Sequence, residues 1–563
     1  MTSEIVSFQQ ALAEAQVRSG AGDWAEAARL WQRVVAANPV NGSYWAGLAA
    51  ARFELADYLA AAEAYRRVLE LGVRPAERDH EMFPGDQPYL IPGEVAYSIA
   101  CCYARLGEAD EAIRALGGAL DKGFRDLDRP QSDEHWKPLL AGQRVRDMLG
   151  IIDVAALSRD DAWRSDLAFL AREISRRAYA PFGQVTREQF SWQVSELDSK
   201  IPDLTDVQIM VAMARLMRQL GDGHAYVAPS KADWEHFPAL PLDVYLFEEG
   251  VYVTAAAPRH RDLLGARIDR VGTHDIAAVL QALDGITSRD NDQQVRSGAP
   301  VWLRMPPVLH ALDLIEDPGE ATLAVTLPDG SGRQVAIPAE PARLDQISPY
   351  PQGWVELPDT LDAPRPLYLR HRELPYWFEH LSAEDLTYFQ FNSVTDHPAE
   401  PFATFCDRLF GFLAARQPAR LVIDMRWNGG GDTFLGQPLL HHLIGCPAIN
   451  RPGALFVIIG RLTFSAAQNI ATAVEQHTHA IFVGEPTGSR PNFIGEAVPF
   501  ELPASKLQVN IGDLYWQTGY PMDHRPWIAP QLYAPPTFES YSKNGDPALA
   551  AVLAVSEHLP GFA

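Results

Sequence analysis

Cysteine is scarce: Cys101, Cys102, Cys406 and Cys446 are the only four in 563 residues. No two have the spacing of a zinc or redox motif, so buried free thiols are expected rather than a disulfide framework. No His-Glu-x-x-His pair occurs, and His441-His442 and the His477/His479 pair fall on helix or helix-end surface. No metal is expected on that basis. Long apolar runs are missing too. The chain opens "MTSEIVSFQQALAEAQ", with neither a basic start nor an apolar core, and nowhere holds about 18 consecutive apolar residues. The expectation is a cytoplasmic protein that spans no membrane. Positive charge is in deficit: 48 Lys and Arg against 72 Asp and Glu leave a net −24. That balance argues against nucleic acid and anionic membrane as partners. Finally, no Gly-x-Ser-x-Gly elbow and no Lys-Ser/Thr after a glycine-rich turn is present, which counts against an α/β-hydrolase and a phosphate-binding loop.

What is present begins with a repeat. Trp24 and Tyr58 lie 34 residues apart, and so do Ala27 and Ala61, Trp31 and Tyr65, and Val34 and Val68. A third copy, "YSIACCYARLGEADEAIRALGGAL", puts Ala112 one such period plus 17 residues beyond Ala61. The extra residues are assigned to "RPAERDHEMFPGDQPYLIPGE". This period of paired helices resembles a tetratricopeptide array of three repeats. It implies stacked helix pairs that serve either as a surface for a protein partner or as a packing arm.

The length exceeds one hydrophobic core, and composition suggests four segments. Residues 1–154 carry the repeats. Residues 155–235 are helical ("WRSDLAFLAREI", "DVQIMVAMARLMRQL") and end in "GDGHAYV". Residues 236–345 turn to short alternating β-runs such as "DVYLFEEGVYVTAA". There "LLGARIDRVGTHDIAAVLQAL" reads as strand, turn and helix and faintly resembles part of a PDZ domain. Residues 346–563 alternate strand and helix, as a parallel α/β sheet does.

Within that last segment, "RLVIDMR" runs into "WNGGGD", and "ALFVIIG" runs through a turn to Ser465 and a helix. Both turns follow strands, where ligands gather in α/β sheets. A serine at such a joint is either a helix N-cap or a nucleophile. The helix N-terminus offers a free N–H at Ala466, and Gly429 and Gly430 let backbone approach a substrate closely. Together these turns could form an oxyanion hole. Asp424 and Arg426 read as a structural pair.

The strings "LVIDMRWNGGGD", "GRLTFSAAQNIA" and "FVGEPTGS", in that order, resemble the tail-specific or C-terminal-processing serine proteases. That family includes the tricorn core protease and the interphotoreceptor retinoid-binding proteins. The resemblance covers about residues 155–563. It implies a crotonase-like α/β core with Ser465 as nucleophile, Gly429, Gly430 and Ala466 as oxyanion donors, and no cofactor. Many members place a lysine base about 25 residues after the serine, but that position here is Arg490. A guanidinium keeps its proton and cannot serve. The tricorn-like alternative takes a histidine from the earlier block, which is His224 in "GDGHAYV". Asp523 or Glu485 would orient it, and Arg490 and Asn492 become candidates for substrate binding. A serine peptidase acting on peptides or proteins is the resulting expectation. The alternatives are a non-catalytic ligand carrier on the same fold, and an adaptor working through its repeats.

Overall fold

The computed structural model describes residues 2–73, 91–229, 237–341 and 353–555. The chain divides into two compact units, Met1–Arg177 and Ala178–Ala563.

The first unit opens with six helices in three consecutive pairs: α1 (Thr2–Gly20) and α2 (Trp24–Ala37), α3 (Gly42–Glu54) and α4 (Tyr58–Leu71), α5 (Ile91–Leu106) and α6 (Ala109–Asp121). Each pair is joined by a two- or three-residue turn, and each helix packs on the next. Ala27, Trp31 and Val34 are buried, and so are Ala61, Tyr65 and Val68. The repeated residues are therefore core residues, which is why the sequence has to repeat them. The small residue Gly47 lies so close to the Trp31 ring that a Cβ there would come within 2.4 Å of it. The inserted stretch expected before the third pair lies almost wholly in 74–90, outside the described residues. Helix α7 (Arg159–Arg177) belongs to this unit and packs on α6, with Phe169 against Gly150. The boundary read near residue 155 therefore falls inside the unit, because α7 buries Leu167, Leu170 and Ile174.

The second unit begins with α8 (Arg187–Lys200) and α9 (Asp206–Arg218). Thr186 with Gln189, and Thr205 with Gln208, form reciprocal capping boxes that start them. A mainly antiparallel sheet follows, including β1 (Leu242–Phe247), β2 (Gly250–Ala256), β3 (Arg267–Val271), β4 (Glu320–Thr326) and β5 (Gly332–Pro338). Helices α10 (Ile276–Asp284) and α11 (Asp292–Leu303) lie between β3 and β4 in sequence.

The last sheet positions the site. Its strands are β6 (Tyr376–Leu381), β7 (Leu386–Phe391), β8 (Arg420–Asp424), β9 (Leu455–Ile459), β10 (Ile481–Gly484) and β12 (Leu532–Tyr533), in that spatial order. β6 and β7 are antiparallel and the other neighbours parallel. Crossovers run through α12 (Phe402–Arg416), α13 (Gln437–Gly445) and α14 (Ala466–His477). Strands covered on both faces need apolar residues on both, hence the unbroken "LFVII" of β9. Leu455, Val457 and Ile459 pack with residues of α12, α13 and α14. Phe456 and Ile458 join the opposite cluster with Ala548 and Val552 of α15 (Pro547–Ala554). The short strand β11 (Asn492–Gly495) sits outside this sheet and pairs with Leu514–Gln517. Among the described residues no helix is long and apolar enough to cross a membrane. The four cysteines are free, three buried and Cys446 half-buried.

Candidate functional site

Ser465 ends the turn between β9 and α14. It occupies the N-cap position of α14 but makes no side-chain cap bond. Its backbone has φ 53° and ψ −125°, a region that a residue with a Cβ rarely enters. Such strain costs about 1–3 kcal/mol and persists only where the surroundings enforce it. Thr463 supplies part of that enforcement: its N–H donates to Gly460 O, and its hydroxyl donates to Met425 O at 2.9 Å. The N–H of Phe464 donates to Asn428 O, which ties the serine turn to the glycine turn after β8. The hydroxyl freed from capping meets His224: Ser465 Oγ and His224 Nε2 are 3.0 Å apart.

His224 lies 241 residues earlier, in the loop after α9. Its ring packs on Phe464 and Phe493, with centroids 4.4 and 5.7 Å away. His224 Nδ1 is 3.1 Å from the carbonyl of Ile494. A carbonyl can only accept, so Nδ1 carries the proton, and in the neutral ring Nε2 presents a lone pair to the Ser465 hydroxyl. Asp222 Oδ1 accepts the His224 backbone N–H at 2.8 Å and stands 3.7 Å from Nδ1. Asp222 Oδ2 accepts from Gly512 N at 2.7 Å. Asp290 is buried nearby and accepts the Gly223 N–H at 2.8 Å. Burial works to lower the basicity of His224, but the carboxylate of Asp222 beside Nδ1, with the charge of Asp290 and the Ile494 carbonyl, outweighs it and leaves the imidazole pKa raised. Burial pushes the Asp290 carboxyl up to about 6, against the pull of His224.

The glycine turn completes the geometry. Gly430 N–H donates to Asn428 Oδ1 at 3.0 Å, so it is engaged and does not fit the donor role expected of it. Gly429 is exposed, and neither its N–H nor that of Ala466 has an acceptor among the described residues. Gly430 matters instead through space. Its φ is 109°, and a Cβ there would lie 2.7 Å from Ser465 Cβ and 3.0 Å from Ala466 N. Gly430→Ala is therefore expected to displace the serine turn and lengthen the Ser465–His224 contact, which a structure of the variant would show.

Four other sequence candidates sit elsewhere in the bonding network. Asp523 is paired with Arg525, which also pairs with Glu475, so it does not orient His224. Glu485 commits both oxygens to Arg461, each at 2.9 Å, and does not orient His224 either. Residue type alone recommends both, and in each case an arginine claims the carboxylate. Arg490 Nε donates to Asp290 O at 2.9 Å, a bracing contact. Asn492 donates to Tyr520 O and accepts from Gly519 N, each at 2.8 Å, so its amide holds a loop and is not free for substrate. Arg426 pairs with Asp424 and Asp546, as a structural reading of that strand requires.

Sequence reasoning missed Asp222 and Asp290. Asp222 left a signal: an Asp two residues before the histidine can accept its N–H in an Asx turn. Asp290, 66 residues away in "SRDND", left none. Among the described residues no group of three or more His, Cys, Asp or Glu could hold a metal ion.

No protein-family model matches the chain, and no curated protein matches it in sequence. Solved structures do. Mature CPAF is 14% identical over 69% of this chain and 95% of that one, with a TM-score of 0.48. The photosystem II D1 C-terminal processing protease is 14% identical over 70% of this chain and 97% of that one, with a TM-score of 0.35. The tricorn protease is 12% identical over 70% of this chain and 36% of that one, with a TM-score of 0.34.

Proposed function

We propose that the chain is a serine peptidase in which Ser465 is the nucleophile and His224 the general base. The observation that carries this reading is the 3.0 Å contact between Ser465 Oγ and the unprotonated Nε2 of His224. Supporting it are the strained φ of Ser465 and the acceptor-free N–H of Ala466 at the start of α14. In the reaction Oγ attacks a peptide carbonyl as Nε2 takes its proton. The N–H groups of Ala466 and Gly429 receive the oxyanion, aided by the positive end of α14. Asp222 and Asp290 stabilise the imidazolium, and the Ile494 carbonyl holds the ring's orientation. The imidazolium then protonates the leaving amine, and water releases the acyl group by the same steps. The helix pairs of the first unit are the candidate surface for a protein partner.

A mixed library of unstructured peptides, incubated with wild type and Ser465→Ala and read by mass spectrometry, tests the proposal. Wild type is expected to release new termini and Ser465→Ala none. Equal cleavage by both would overturn it.

The electrostatics adds a pH prediction. A general base works only when neutral, so activity falls as pH drops through its pKa. The raised pKa of His224 puts the acid limb of kcat/KM above the ordinary histidine value. Asp290→Asn removes one of the charges that raise it, and the limb is expected to move to lower pH. An unmoved limb in a pH–rate profile would take Asp290 out of the mechanism.

A further inference from the structure

A cavity of about 200 Å³ lies within the second unit, and neither Ser465 nor His224 is in its wall. Its volume is several times the ~30 Å³ share of a water molecule. One side is made by the carboxyl ends of β9 and β10, at Ile459, Gly460 and Gly484. Residues of β1, β2 and α11 line another part, and Tyr368, Trp427 and Tyr541 reach it from outside these elements. The carboxyl ends of parallel strands are where α/β sheets take ligands.

The lining is mostly apolar and rich in rings, Phe247 and Trp427 among them. Three phenols also line it, Tyr245, Tyr368 and Tyr541. None of their hydroxyls has a hydrogen-bond partner among the described residues, although Tyr368 is only 4% exposed. A tyrosine hydroxyl usually finds a partner, so three without one leave donors free for a ligand in the cavity. Burial raises all three phenols above their ordinary pKa, so each keeps its proton and acts as a donor.

The charges are unevenly committed. Arg461 is bound to Glu485 and to Leu246 O, and Arg426 to Asp424 and Asp546. The lining carboxylates are matched as well: Asp243 with Arg304, and Glu356 with Arg365 and Arg372. Arg296 differs. Its nearest acceptors are Glu248 Oε1 at 3.4 Å and Phe247 O at 3.5 Å, at the limit of a hydrogen bond. The cavity thus combines one weakly held guanidinium and three donor hydroxyls with aromatic walls.

We infer that this cavity binds an aromatic monocarboxylate, its ring against Phe247 and Trp427 and its carboxylate on Arg296 and the tyrosine hydroxyls. A ring suits the compact volume and the aromatic walls better than a long acyl chain. The site is separate from Ser465, so the inference does not depend on the peptidase reading.

Isothermal titration calorimetry on the full chain tests it, with 4-phenylbutyrate as the probe and 4-phenyl-1-butanol as its neutral counterpart. The acid is expected to bind, and the alcohol roughly tenfold more weakly or worse. Arg296→Gln should weaken the acid by a similar factor and Tyr368→Phe by less, while Ser465→Ala binds as wild type does. Melting curves establish that the variants fold, and Tyr541→Phe replaces Tyr368→Phe if the latter melts early. Absence of binding at millimolar acid overturns the inference. So does equal affinity for the alcohol, unchanged affinity in Arg296→Gln and the phenol variant, or loss of binding in Ser465→Ala.

Discussion

On the proposed Ser–His mechanism, His224→Ala is expected to lower kcat/KM for peptide cleavage by roughly ten-thousand-fold. The size follows from the base role proposed for the ring. Without a base, the Ser465 hydroxyl keeps its proton and attacks as a neutral alcohol, and the leaving amine has no proton donor. Losing either member of such a pair costs nearly as much as losing both, so His224→Ala/Ser465→Ala should be little worse than the single variants. The ring is also a packing element between Phe464 and Phe493. For that reason His224→Gln is the better companion variant: it keeps volume and polarity but cannot act as a base near neutral pH. Asp523→Ala supplies the opposite control. Its carboxylate serves the Arg525 and Glu475 cluster, and cleavage should be unchanged. Full activity in both His224 variants would move the base elsewhere, and a large loss in Asp523→Ala would restore that residue to the site.

How much of this arrangement a reader can extract from the sequence depends on how local its causes are. Ser465 and His224 each sit in a short string with its own turn chemistry, "GRLTFSAAQ" and "GDGHAYV". Both could be named without knowing that 241 residues of chain fold back to bring them 3.0 Å apart. The helix pairs of the first unit were legible for a similar reason, since each repeated alanine or aromatic answers to the neighbouring helix. "LLGARIDRVGTHDIAAVLQAL" likewise folds as β3, a turn and α10. Beyond Asp222, the partners of His224 were not legible. Its Nδ1 bond goes to a backbone carbonyl, Ile494 O, which any residue can supply and no residue type marks. Asp290 acts through burial and distance, and neither quantity exists before the chain folds. Asp523 and Glu485 were plausible because a carboxylate is what a histidine base commonly uses. Each was instead taken by an arginine, one two residues along the chain and the other 24 residues back.

That second pairing, Arg461 with Glu485, carries the largest expected effect on stability. Both side chains are nearly inaccessible, and two hydrogen bonds of 2.9 Å join them. Burial alone would raise the Glu485 pKa, yet the charge and hydrogen bonds of Arg461 hold it below its ordinary value. Arg461→Ala removes that compensation and leaves a carboxylate in a site from which water is excluded. Breaking a buried pair from one side costs about 3–5 kcal/mol, much of it the penalty for the stranded charge. In a unit of this size that corresponds to a fall in melting temperature of about 4–6 °C. The pH dependence separates this cause from lost packing. A depressed carboxylate pKa contributes stability that is fully present above the unfolded value near 4.3 and is lost as pH falls through the folded value. In Arg461→Ala the stranded carboxylate has the reverse tendency, so lowering the pH toward 5 should narrow the gap between variant and wild type. Arg461→Met/Glu485→Leu, which removes both charges and keeps volume, should recover most of the loss. Calorimetric melts across pH would show the narrowing, and a gap independent of pH would assign the defect to packing around Tyr245, whose ring lies 4.5 Å from the Arg461 guanidinium.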